Sequence, residues 1–147
     1  MTFSNPDDAA VKSLLETVTT FAVIGASPKP HRPSYGVMER LISEGYRVVP
    51  INPGHGGSEI FGQRVYVSLE DVPAPVDVVD IFRSPDAALD AVRLAIDEKA
   101  RLGIQAIWMQ IGIVNEEAAR LASEAGLTVV MDRCPKIELA RLRVTRR

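Results

Sequence analysis

Gly25-Ala26-Ser27 follows directly on the apolar run Phe21-Ala22-Val23-Ile24, and Asn52-Pro53-Gly54-His55-Gly56-Gly57 follows on a second such run, Val48-Val49-Pro50-Ile51. Small residues at a strand-to-helix turn let the backbone approach a pyrophosphate, whose charge is met by N–H groups and by the following helix N-terminus. On this reading a side chain at Gly25 would block binding in a domain that still folds. Where a nucleotide fold takes a plain ribose, Asp or Glu usually ends the second strand and accepts the hydroxyls, and a carboxylate would repel a ribose phosphate. Asn52 is neutral, which suits a nucleotide with a phosphorylated ribose. The same turn without any ligand is the structural alternative.

Other chemistry-bearing groups sit at comparable places. The loop Ala26 to Pro33 carries Lys29, His31 and Arg32, followed by Ser34. Phe82-Arg83 ends a third apolar run, and Arg83 can give a phosphate two parallel hydrogen bonds. Gln110-Ile111-Gly112 closes a fourth, where an amide can hydrogen-bond a polar ligand and a glycine leaves it room. Asp132-Arg133-Cys134-Pro135 closes the fifth. Cys134 is the only cysteine, which excludes an internal disulfide and a cysteine metal cluster, and no histidine neighbours it to activate it. It reads as partly buried and inert. His31 and His55 lack acidic ligands at suitable spacing, so no metal site is expected, and no nucleophile, base and orienter stand together as a catalytic set.

The elements that must carry these groups alternate. Pro6 and two aspartates open a helix over about 7–18, with Val11, Leu14, Leu15 and Val18 at helical spacing. Strands are expected at 21–25, 47–51, 76–82, 104–109 and 127–131. Helices are expected after Pro33, stopping at Gly45; from Ser84, with Pro85 at its first position, to about Arg101; after the cap Asn115; and over 136–142. The glycines of 54–57 demand an irregular loop, 60–62 and 65–66 a brief ribbon, and 69–72 a single helical turn. Trp108 and Met109 read as core. The strand at 76–82 is almost continuously apolar, as for a strand covered on both faces, and only Asp77 and Asp80 interrupt it. The fold class is therefore α/β, a single Rossmann-like domain over 1–147. Its five-stranded parallel sheet has the expected order 3-2-1-4-5 with helices on both faces, and ligands bind at the carboxyl ends of the strands.

The chain has 147 residues, 46% apolar and 24% charged, with a formal net charge of −2. That composition suits one soluble domain and gives no general attraction to nucleic acid or anionic membrane. With no signal segment and no spanning run, a cytoplasmic protein is expected. The tail Arg146-Arg147 reads as solvated. Ala118 to Ala125 can pack in the core or against another subunit, so a homo-oligomer or an unidentified protein partner stays open.

In their order and spacing the five strand ends resemble those of the CoA-binding domain family, stand-alone relatives of the N-terminal domain of the succinyl-CoA synthetase α subunit. The resemblance runs from about Thr20 to Leu142. It implies coenzyme A or an acyl-CoA as the ligand, with Arg32 and Ser34 joining Gly25, Ala26 and Ser27 around the phosphates. It lays Asn52, Pro53 and His55 along the adenosine and its 3′-phosphate, His55 standing where the synthetase has lysine, and sets Phe82 and Arg83 beside pantetheine or phosphate. The family pattern has Asn-Arg-Cys where this chain has Asp132-Arg133-Cys134. A ligase of that type needs a second domain with a phosphorylated histidine, and the chain stops where that domain would begin, so binding without catalysis is expected. The alternatives are a small NADP-dependent oxidoreductase and a regulatory interaction module with a degenerate nucleotide site.

Overall fold

Five short apolar runs form the parallel sheet of the computed structural model, which describes residues 3–145: β1 (Thr20–Ile24), β2 (Arg47–Ile51), β5 (Val78–Ile81), β6 (Ala106–Met109) and β7 (Thr128–Met131). Every residue in them is buried except Arg47 and Thr128, as a sheet covered on both faces requires. The expected ribbon is an antiparallel pair of two-residue strands, β3 (Glu59–Ile60) and β4 (Gln63–Arg64). Residues of α1 (Asp8–Thr17), α2 (Pro33–Ser43) and α5 (Pro135–Arg141) pack with Phe21, Val23 and Trp108 on one face. Residues of α3 (Pro85–Leu102) and α4 (Glu116–Glu124) pack with Ala22, Ile81 and Met109 on the other. Trp108 and Met109 are thus both core, on opposite faces.

The class, the five parallel strands and the two helical layers are as the sequence reading has them. The strand order is not: the third core strand, β5, pairs directly with β1, so the sheet runs β2-β1-β5-β6-β7, or 2-1-3-4-5 counting core strands. The cause lies in residues 52–77. Doubly wound sheets place the third strand either outside β2 or beside β1, so the path of this segment decides, and it holds only two short turns and the ribbon. It crosses the α3 face, where Leu69 and Val72 are fully buried, and delivers β5 to the far side of β1. Asp77, one residue ahead of β5, fixes that junction. Its Oδ2 accepts the N–H groups of Thr19 at 2.8 Å and Thr20 at 3.0 Å, and its Oδ1 accepts Gln105 Nε2 at 3.1 Å.

Asp80 lies in β5 level with Val23 of β1 and Trp108 of β6, wholly buried on the α2 and α5 face. Neither carboxylate oxygen has a hydrogen-bond partner among the described residues, and burial raises its pKa well above the usual carboxylate range. Arg146 and Arg147 lie outside the described residues. No helix among the described residues is long and apolar enough to cross a membrane.

Candidate functional site

Connections leave β1 and β5 toward opposite faces of the sheet, so their carboxyl ends part and open a crevice between them. A cavity of about 660 Å³ occupies it, within the range of small-molecule sites. Of the candidate ligand-binding residues, Gly25, Ser27, Arg32, Ser34, Asn52, His55, Phe82, Arg83 and Gln110 line it. Lys29, Pro33, Ile111 and Ile113 complete the wall. Ala26 is fully buried among core side chains, Pro53 stands outside the cavity, and Gly112 lies beyond it. The N–H of Gly112 goes to Asp132 Oδ1 at 2.8 Å, so the acid in place of the family amide holds the β6–α4 loop.

The electrostatics are one-sided. Lys29, Arg32 and Arg83 line the cavity together with His55, and no Asp or Glu does so among the described residues. Among the described residues none of the three cations is within salt-bridge distance of an acid, although the chain as a whole is slightly acidic. Three such cations beside a concave wall give it a positive potential that attracts anions.

The helix that starts here adds to it. Asp7, Ser84 and Asn115 cap α1, α3 and α4 with side-chain oxygens, whereas Arg32 at the head of α2 supplies no side-chain cap. In its first turn Pro33 has no N–H and the Tyr35 N–H goes to the Arg32 carbonyl at 3.1 Å, which leaves the Ser34 N–H beside the cavity. Ser34, buried in that first turn, bonds inward instead, its Oγ accepting the Ser27 N–H at 3.1 Å. This shapes the β1–α2 loop and commits one N–H that the sequence reading left for a ligand.

Asn52 is committed as well. Its Oδ1 accepts the Gly54 N–H at 2.9 Å and its Nδ2 donates to the Ala26 carbonyl at 2.7 Å, tying the β2 loop to the β1 loop. Gly25 has φ +90°, and a Cβ there would lie 2.4 Å from the Phe82 carbonyl oxygen. Its glycine character serves the close approach of two chain segments, so a larger residue disturbs folding before it tests binding. This corrects the expectation of a folded, non-binding Gly25 variant. The sequence reading missed Ile111 and Ile113 as wall residues, though their alternation about Gly112 was the available signal. Cys134 is buried at the start of α5, and no cluster of three metal-ligating side chains occurs among the described residues.

A protein-family model described as "CoA binding domain" matches residues 19–140. The Bacillus subtilis protein YneT, itself uncharacterised, is 33% identical over 133 residues, covering 90% of this chain and 94% of its own. A solved Thermus thermophilus structure is similar with a TM-score of 0.86 and 38% identity, over 93% of this chain and 99% of that one. The α subunit of an ADP-forming acetate–CoA ligase from Pyrococcus furiosus is 42% identical over 64 residues, which are 41% of this chain and 14% of that subunit.

Proposed function

The chain belongs to the CoA-binding domain family, and from that premise we propose that it binds coenzyme A or an acyl-CoA at the carboxyl edge of its sheet, with no catalytic step of its own. One observation carries the reading: a cavity lined by Lys29, Arg32 and Arg83, with no carboxylate among its described lining residues, at the uncapped start of α2. Coenzyme A brings a pyrophosphate and a ribose phosphate, and so needs cations in more than one place. In the proposed pose the pyrophosphate meets the Ser34 N–H at the head of α2 with Lys29 and Arg32 beside it, so that this loop acts as a phosphate loop. His55 faces the 3′-phosphate. The pantetheine arm passes Phe82 and Arg83 toward Gln110, whose amide offers both a donor and an acceptor.

The reading has the protein carry, sense or relay the cofactor in the cytoplasm. Amide chemical-shift mapping during titration with coenzyme A tests the pose. The largest shifts are expected at Ser27–Tyr35, Asn52–Gly57 and Phe82–Ser84. Shifts confined to another face of the sheet would contradict it.

A further inference from the structure

A second, shallower groove opens from the cavity and runs between the heads of α2 and α5, with a volume of about 390 Å³. Pro30, Gly36, Val37, Cys134, Lys136 and Ile137 line it, and it meets the main cavity at Arg32, Pro33 and Gln110. Ile137 is 51% exposed on its wall, an apolar side chain left half in water.

The junction carries the second observation. Gln110 is 7% exposed, and its Oε1 is buried with no hydrogen-bond partner among the described residues. Buried acceptors are seldom left unpaired in folded proteins, and because Gln110 lines both the cavity and the groove, a turn of its amide presents this oxygen to a ligand's N–H at their junction. Pantetheine has two amide N–H groups on the way to its sulfur, and beyond them an acyl thioester has only apolar chain to bury.

We propose that the groove between α2 and α5 is an acyl subsite: the pantetheine arm turns at Gln110 and lays an uncharged, unbranched acyl chain along Val37 and Ile137. The assignment rests on the coenzyme A reading and extends it, making acyl-CoA the preferred ligand over the free thiol. Each buried methylene strengthens binding by about fourfold when fully covered. An open groove covers it in part, so affinity rises about tenfold from acetyl-CoA to hexanoyl-CoA.

Gly36 supplies the variant. A Cβ there comes no nearer than 3.7 Å to Lys136 Nζ, and its backbone does not require glycine, so Gly36→Leu fills the groove and favours the helix. The test is calorimetric titration of wild type and variant with CoA, acetyl-CoA, butyryl-CoA and hexanoyl-CoA. The expected result is a chain-length gain in the wild type that Gly36→Leu abolishes, with CoA affinity kept within twofold. Equal affinity for all four ligands in the wild type overturns the subsite and leaves the coenzyme A reading standing. A chain-length gain that survives Gly36→Leu also overturns it. Absence of binding by every ligand overturns both. A concentration-dependent dimer that Gly36→Leu disrupts, with no acyl preference, gives the groove to a second copy of the chain and overturns the assignment.

Discussion

Arg32 and Arg83 both face the cavity, yet they differ in exposure: Arg32 is exposed, whereas Arg83 is half-buried after β5. A phosphate contact from an exposed guanidinium is screened, and one from a partly desolvated guanidinium is less so. Arg83→Ala is therefore expected to weaken coenzyme A by about 1.5–3 kcal/mol, roughly ten- to a hundredfold in Kd. Arg32→Ala costs about 1 kcal/mol, roughly fivefold, by the same titration. Equal affinity in both variants and wild type would remove the cations from the site. Gly25→Ala belongs to stability instead. The contact at 2.4 Å with the Phe82 carbonyl and the left-handed φ together cost upwards of about 2 kcal/mol, read as a fall in the urea midpoint. The residue types at the strand ends were legible in the sequence because loop glycines and cations stand out against apolar runs. Their internal bonds were not. Nothing in the spacing of Ser27 and Ser34, or of Ala26 and Asn52, announces that each pair is joined, because those bonds depend on where two loops meet.

Helices were the easiest elements to read, since Asp7, Ser84 and Asn115 each stand just before an apolar period and each accepts a first-turn N–H. Strand order was the hardest. Apolar continuity tells that β5 is covered on both faces, but its neighbour is decided by the crossover, and residues 52–77 carry no helical period to reveal its path. Asp77 is the element-scale anchor that composition shows only as an interruption. Its carboxylate joins the start of β1 to the segment ahead of β6, and Asp77→Ala leaves the N–H groups of Thr19 and Thr20 without that acceptor. We expect a loss of about 2 kcal/mol in urea melts, with coenzyme A affinity unchanged because the residue sits at the opposite end of the strands from the cavity. A variant as stable as wild type would show that the junction is held by strand pairing alone.

At the scale of the whole molecule, stability and binding pull on different groups. Asp80 does not line the cavity, and burial raises the pKa of its carboxyl well above the usual carboxylate range. Below about pH 4 both folded and unfolded chains hold that proton. Above it only the unfolded chain releases it, so stability falls by about 1.4 kcal/mol per pH unit until the folded group ionises. Asp80→Val removes this slope, and urea melts from acid to neutral pH are expected to show a variant whose advantage over wild type grows as pH rises. A variant that keeps the slope, or is weaker near neutrality, would assign the pH dependence to other groups. The central claim is that three uncompensated cations and the open head of α2 select a ligand with phosphate at both ends of its nucleotide. Calorimetric titration of nucleotide-free protein with coenzyme A, dephospho-CoA, NADP and NAD in one buffer tests it most directly. The account predicts that coenzyme A binds tightest and that loss of the 3′-phosphate weakens it by roughly tenfold. Preference for NADP, or indifference to the 3′-phosphate, would contradict it.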